Sequence, residues 1–366
     1  MPSVDPRVQP ASDVPLAPLS TLGIGGPARW FVRATSPEEV AAAHAWAANR
    51  GVPLFVLGGG SNLVIADQGF DGLVLQIALT GVDVAPAGAD TLMTAAAGES
   101  WDAFVDSAVA RGLAGVECLS GIPGTVGGTP IQNVGAYGQE VSHVIETLTA
   151  FDRHEQGMVR LGAAECGFAY RMSRFKQDDA GRFVVCGVTC RLRPGPPTIT
   201  YPDVSDQLAR DGIRTPDVRH VRDVVLAIRR RKGMVIDAAD PDTRSVGSFF
   251  VNPLVTRATY DRIAAANPNT AVPSYVMQNG EVKIPAAWLI ERSGFARGHA
   301  DGRVALSGKH PLAVVNRGGA TARDVLEFAG RVKRAVIDRF EVALRPEPVF
   351  VGFRNNPDVE FLLRGG

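Results

Sequence analysis

Two glycine-rich loops, GGGSN at 58–62 and SGIPGTVGG at 120–128, constrain this 366-residue chain more than any other feature. Each follows an apolar run. Glycine permits positive φ and lets backbone N–H groups crowd a ligand, which is what a phosphate held by main chain requires. Neither loop carries the Lys of GxxxxGK[ST], and neither has a GxGxxG opening a helix, so a P-loop nucleotidase and an ordinary Rossmann dehydrogenase are both disfavoured. Taken singly, either loop reads equally well as a tight turn. Two of them in one domain favour a cofactor of the dinucleotide kind, with Ser61, Asn62, Ser120 and Thr125 adding hydroxyl or amide partners.

The segments around the loops alternate between strand and helix periods. WFVRA reads as a strand, and Ser36-Pro37-Glu38-Glu39 supplies an N-cap, a Pro at N1 and a capping-box Glu for a helix to about residue 49. VPLFVLGGGSN, GLVLQI and TLMTAAAG read as strands; SWDAFVDSAVARG predicts a helix with Trp101, Phe104, Val105 and Ala108 on one face and Gly112 as its stop. VIETLTAFD and FVVCGVTCRL are further strands, and DVRHVRDVVLAIRRRK places Val218, Val221, Val225 and Ile228 at helical spacing. Its terminal cations, residues 229–232, fit either a solvated helix end or an anion site. GSFFVNPLV, ATYDRIAAANP, KIPAAWLIERSG and PLAVVNRG form a second α+β block, closed by a helix with Val325, Phe328, Val332 and Val336 on one face. The fold class is α+β, with the PGPPT cluster at 194–198 as candidate boundary.

Composition narrows the function classes. Apolar residues make up 45% and charged ones 21%, a balance that suits a globular chain. Lys plus Arg and Asp plus Glu both total 38, so no global field favours nucleic acid or an anionic membrane. No apolar run approaches the roughly twenty residues a membrane helix needs. The Pro-rich start, MPSVDPRVQPASDVPLAPLS, lacks the pattern of a secretory signal and reads as a loose leader, so a cytoplasmic protein without membrane insertion is expected. Cys118, Cys166, Cys186 and Cys190 follow no CxxC spacing and point to buried thiols rather than zinc or disulfides; no metal is expected.

Eight pieces in order carry a family resemblance: STLGIGGPA (20–28), VLGGGSNLVIAD (56–67), LSGIPGTVGGTPIQNVGAYGQE (119–140), FAYRMSRFK (168–176), RRRKGMV (229–235), GSFFVNP (247–253), KIPAAWLIE (283–291) and RPEPVFVG (345–352). The chain resembles the UDP-N-acetylenolpyruvoylglucosamine reductases. The resemblance implies an FAD-binding domain of the vanillyl-alcohol-oxidase type followed by a smaller α+β substrate-binding domain. Laid on the chain, it gives a flexible leader (1–19), an FAD-binding domain (20–195), a lid loop and connecting helix (196–246), a substrate-binding domain with the closing segment (247–352) and a tail (353–366).

It also implies non-covalent FAD, NADPH as hydride donor and the enolpyruvyl ether of UDP-N-acetylglucosamine as substrate, in peptidoglycan precursor synthesis, by a cytoplasmic monomer that binds no nucleic acid. The FAD wall would comprise Gly58, Gly59, Gly60, Ser61 and Asn62; then Ser120, Gly121, Ile122, Pro123, Gly124, Thr125, Gly127 and Gly128; then Gly135, Ala136 and Tyr137. By the same resemblance Ser248 is the proton donor, Arg171 grips the substrate carboxylate, and Glu347 is the acid beside the developing enol, where donating to the intermediate would require a raised pKa. A free serine hydroxyl is a weak acid and needs a strongly basic acceptor, whereas a planar guanidinium fork suits a carboxylate better than Lys does. Outside their motifs the three read more simply as a turn residue, an ion-pair partner and a solvated carboxylate; inside them, the catalytic roles are favoured. Lys232 and Asn252 would meet the diphosphate, Tyr201 would sit on a mobile lid, and Tyr170 would either touch substrate or pack in the core. The chain departs from the family's usual PEVRF at Pro346-Glu347-Pro348-Val349-Phe350, where a basic side chain near the acid is missing.

Two other functions stay open on the residues alone. One is an oxidase of the same fold acting on a small alcohol, which often anchors flavin through His or Cys; GGGSN has neither. The other is a nucleotide-binding module without chemistry, which has no need of a donor beside a carboxylate clamp.

Overall fold

Helix α1, Pro37–Arg50, forms where the capping signals place it: Ser36 Oγ accepts the Glu39 N–H at 3.2 Å, Pro37 fills N1, and Gly51 ends the helix at φ +63°. The Glu39 carboxylate departs from the capping box and accepts the Thr35 N–H at 2.6 Å. The computed structural model describes residues 8–277 and 279–365, which divide into two compact units. The first takes the chain up to Val14, Ala28–Gly60 and Asp71–Val235; the second takes Pro15–Pro27, Ser61–Phe70 and the chain from Ile236.

In the first unit a four-stranded sheet runs in the order Ala11–Pro15, Pro27–Ala34, Phe70–Ile77, Leu54–Leu57, with the last pair parallel. A larger antiparallel sheet has the order Gly157–Gly162, Ile145–Asp152, Phe183–Pro194, Asp90–Ala96, Val82–Ala87. Helix α2, Trp101–Ala110, buries Trp101, Phe104, Val105, Ala108 and Val109, the face its spacing predicts. Beyond the Pro/Gly cluster at 194–198 the chain stays in this unit. Helix α3, Pro202–Arg210, buries Val204 and Leu208 against Val221, Val224, Val225 and Ile228 of helix α4, Val218–Arg231, and the same cluster includes Cys118. At about 1.5–3 kcal/mol per fully buried large aliphatic side chain, this seam explains why the segment after the prolines folds back.

The leader is a correction to the sequence reading. Residues 1–7 lie outside the described residues, but Val8 is buried in the first unit's core and Ala11–Pro15 is the edge strand of its smaller sheet. Pro15 is tolerated at its end because one side of an edge strand needs no donors.

In the second unit Ser245–Ser248, Ala313–Asn316, Val304–Leu306 and Ala300–Asp301 form an antiparallel sheet in that order. Helices α5, Arg257–Ala265, and α6, Ala286–Arg292, precede α7, Ala322–Phe340, whose buried Val325, Phe328, Val332 and Val336 match the predicted face. Residues 61–70 belong here for two reasons. Leu63–Ile65 pairs in parallel with Val349–Val351, and the Asp67 carboxylate accepts the first N–H groups of α7, Ala322 at 2.7 Å and Arg323 at 3.1 Å. The tail carries helix α8, Pro357–Leu363, and the buried Lys333 ammonium of α7 donates to the carbonyls of Phe361, Leu362 and Arg364 at its C-terminal end.

Candidate active site

In the first unit the two glycine loops pass backbone against backbone. A Cβ on Gly59 would lie 2.6 Å from Gly124 Cα, and one on Gly58 would lie 2.9 Å from Thr125 Oγ1. Only glycine allows that approach. The second loop is stitched to the start of α2: Trp101 N–H donates to Gly124 O at 3.1 Å, Trp101 Nε1 to Leu119 O at 3.1 Å, and the Gly121 N–H donates to Asp102 Oδ1 at 2.6 Å. Arg222 of α4 holds the same carboxylate at 2.7 Å. Burial works to raise the Asp102 pKa, but the Arg222 and Gly121 hydrogen bonds prevail and hold it below the ordinary aspartate value.

Ser120 turns its hydroxyl proton to the main chain. Its side chain is buried and its Oγ donates to Glu117 O at 2.7 Å, so the hydroxyl proton shapes the loop instead of reaching out to a phosphate. Asn62 likewise turns its amide to the chain, Nδ2 donating to Glu347 O at 3.3 Å within the second unit. Below the loop lies a buried network in which Glu117 accepts the Gly115 N–H and Gln139 Nε2 while Gln139 Oε1 accepts the Cys118 N–H. Burial, with Glu117 beside it, pushes the Cys118 thiol up to about 12; the four cysteines are free and buried.

Gly135–Ala136 and Gln139–Glu140 form a two-residue hairpin with Tyr137 and Gly138 at φ +48° and +85°, the geometry of a type I′ turn. Tyr137 meets Tyr201 edge to face at 5.5 Å between ring centroids, and Lys232 Nζ lies 5.8 Å from the Tyr137 ring. Lys232 also pairs with Asp203 at 2.9 Å. The structure thus brings Tyr137, Tyr201 and Lys232 together, residues the sequence offered from three separate motifs. Tyr201 precedes α3 and is 39% exposed.

Arg229, three residues before Lys232, corrects the simple picture of a solvated cation run. Its Nη2 donates to Met234 O at 2.8 Å and Gly121 O at 3.3 Å, it lies beside Tyr137, and its buried Nε has no hydrogen-bond partner among the described residues. Burial draws its pKa down, opposed by Tyr137 and Asp102. A buried guanidinium with an orphaned donor beside a glycine-lined backbone cradle fits an anionic, polyoxygenated cofactor such as FAD.

Arg171 has φ +55° and sits in a tight turn whose ends, Ala169 and Met172, exchange two 3.0 Å backbone hydrogen bonds. Its Nη2 donates to Gly135 O at 2.6 Å, and its guanidinium lies 5.3 Å from the Tyr170 ring. In the second unit, Ser248 ends the strand Ser245–Ser248, and the Glu347 N–H donates to Phe249 O at 2.9 Å. Asn252 Oδ1 accepts the Ala286 N–H at 2.9 Å, at the start of α6. Asp102 and Arg229 were not singled out by sequence reasoning; of the two only Arg229 had a signal, the cation run itself.

Comparisons with known proteins agree with this geometry. The FAD binding domain family matches residues 28–160. The chain is thus an FAD-binding α+β protein. The family model described as "UDP-N-acetylenolpyruvoylglucosamine reductase, C-terminal domain" matches residues 240–351. The chain is 46% identical to the UDP-N-acetylenolpyruvoylglucosamine reductase of Thermobifida fusca (strain YX), covering 93% of this chain and 98% of that one, and 46% identical to the enzyme of the same name from Streptomyces avermitilis, covering 94% and 96%. It belongs to the UDP-N-acetylenolpyruvoylglucosamine reductase family. The crystal structure of the Thermus caldophilus reductase shares the fold, with a TM-score of 0.59 at 24% identity over 94% of this chain and 99% of that one.

Proposed function

We propose a division of labour among the residues of this FAD-dependent oxidoreductase, which uses NADPH to reduce the enolpyruvyl ether of UDP-N-acetylglucosamine to UDP-N-acetylmuramate. The single observation that carries the reading is family membership at 46% identity over 93% of the chain, with the cradle of Gly58, Gly59, Gly124 and Thr125 present to receive the cofactor. When bound, FAD supplies a hydride carrier between NADPH and the substrate.

The chain's own residues do the rest. Hydride added to the terminal carbon of the enolpyruvyl group drives the alkene electron pair onto the adjacent carbon and its carboxylate. Arg171 holds that carboxylate through a planar fork, Glu347 stabilises the charge beside it, and Ser248 Oγ gives its proton to the carbon, completing the C–H bond. Lys232 and the Asn252 amide hold the diphosphate, and Tyr201 closes over the nucleotide and excludes water. Residues 58–62, 120–125, 127, 128 and 135–137 line the cofactor, with Arg229 supporting them. The reading places the enzyme in the cytoplasm, where NADPH and nucleotide sugars circulate, as a monomer supplying the peptidoglycan pathway. No helix of the described residues is long and apolar enough to cross a membrane. Nothing in the site favours a small-alcohol oxidase or a binder without chemistry.

The test is a pair of half-reactions. Purified protein is expected to be yellow, to bleach with NADPH under anaerobic conditions and to regain colour on adding the enolpyruvyl sugar. Protein that takes up no flavin, or reduced protein that the sugar fails to reoxidise, would sink the reading.

A further inference from the structure

Asn133 lies in the stretch between the second glycine loop and the Tyr137 hairpin, and no role above uses it. It is 1% exposed and has φ +46°, a left-handed conformation that Asn tolerates better than most residues. Its carboxamide makes three hydrogen bonds to two segments: Nδ2 donates to Glu140 Oε2 at 2.7 Å and to Ala169 O at 3.0 Å, while Oδ1 accepts the Ser142 N–H at 3.1 Å. Its backbone carbonyl accepts from Arg171 Nη1 at 3.5 Å, and the carbonyl two residues on, Gly135 O, accepts from Arg171 Nη2 at 2.6 Å.

Asn133 therefore holds Arg171 at both ends. Its side chain pins Ala169, the first residue of the tight turn on which Arg171 sits at φ +55°, and its main chain, with that of Gly135, receives the guanidinium. The two carbonyls engage both Nη atoms, and because a guanidinium is a rigid plane, two such contacts fix the direction of the fork. The approach is close: a Cβ on Gly135 would lie 3.0 Å from Arg171 Nη1.

We infer that Asn133 is a positioning residue that aims the Arg171 guanidinium at the substrate's carboxylate. The inference rests on the reading of Arg171 as the carboxylate grip. A buried Asn that served only the fold would lower stability without regard to which ligand is bound. An aiming residue acts on the ligand that bears the carboxylate and not on one that lacks it.

Calorimetry on the oxidised holoenzyme separates these. The probes are the enolpyruvyl ether of UDP-N-acetylglucosamine and UDP-N-acetylglucosamine itself, which shares the nucleotide and sugar but has no carboxylate. Asn133→Gly, which keeps the left-handed backbone free of strain, is expected to cut the affinity ratio of the two ligands by about tenfold or more, with UDP-N-acetylglucosamine held within about twofold. Glu140→Gln, which leaves Asn133 in place but weakens its Nδ2 contact, is expected to lower the ratio by about threefold and serves if the glycine variant fails to retain flavin. In an Arg171→Ala background neither change should lower the ratio further. Equal weakening of both ligands, an unchanged ratio, or a full additional fall in the Arg171→Ala background overturns the positioning role. An Arg171→Ala enzyme with the wild-type ratio instead overturns the reading of Arg171, and the inference falls with it.

Discussion

The Glu347 N–H donates to the carbonyl of Phe249 at 2.9 Å, which ties the candidate acid to the residue directly after the candidate proton donor, Ser248. The pairing continues between the same two segments: Phe250 bridges Pro346, and the Val251 N–H donates to Arg345 O at 3.0 Å. Asn62 and the Val349–Val351 strand hold the far side of the segment, Nδ2 of Asn62 donating to Glu347 O. Pro348, which has no N–H to give, falls between the bonded N–H groups of Glu347 and Val349, so both hydrogen bonds form around it.

Because Ser248 is assigned a step after hydride arrives at the substrate, its removal should split the half-reactions. Ser248→Ala is expected to bleach with NADPH at the wild-type rate and to be reoxidised by the enolpyruvyl sugar about 10²–10⁴-fold more slowly, the usual worth of a positioned proton donor. Anaerobic stopped-flow absorbance of the flavin measures both. Equal slowing of both halves would remove Ser248 from the donor role.

Gly59 tests the cradle. A methyl there would lie 2.6 Å from Gly124 Cα, a contact that backbone cannot relieve by a rotamer change. Gly59→Ala should force the two loops apart and yield protein with little bound flavin, read from the visible spectrum against protein concentration. Full flavin content in that variant would show that the loops do not need their present spacing.

Lys232 is assigned to the diphosphate, and its present partner, Asp203, is a half-exposed carboxylate. Exposed ion pairs contribute about 0–1 kcal/mol, so Lys232→Ala should barely change the melting temperature. The loss of a charge-assisted contact to substrate should raise KM by about tenfold or more with a smaller change in kcat. Steady-state kinetics with varied enolpyruvyl sugar decides it; an unchanged KM would return Lys232 to the role of a helix-end cation.

Asp102 predicts the acid limb. Its folded pKa lies below the ordinary value of 3.8, so its contribution to stability is whole above that value and is lost as pH falls through the depressed folded pKa. The side chain is 39% exposed, and screening limits the contribution to about 1 kcal/mol. Wild type should therefore lose melting temperature more steeply than Asp102→Asn below about pH 4. Thermal melts across that range compare the two slopes; parallel curves would show that the Arg222 contact does not stabilise the loop.

Legibility in the sequence followed the range of the interactions. The capped helix α1, the buried faces of α2, α4 and α7, and the strands flanking the glycine loops were all readable, because caps and periodicity act within a few residues. The absence of a Lys after the glycines excluded a P-loop, and eight ordered motifs pointed to the family. The backbone contacts of Ser120 and Asn62 were not readable, since a side chain's choice of partner depends on what the fold brings near.

What only tertiary structure decided lies at long separation along the chain. Residues 61–70 leave the unit that their neighbours build because Leu63–Ile65 finds Val349–Val351 and Asp67 finds the start of α7. The Pro-rich start becomes an edge strand, Arg229 turns from a cation run toward Gly121, and Asn133 reaches both the turn and the guanidinium of Arg171. None of these follows from local spacing, because hydrogen bonds between residues tens to hundreds of positions apart form only once the packed core has fixed which backbones are neighbours.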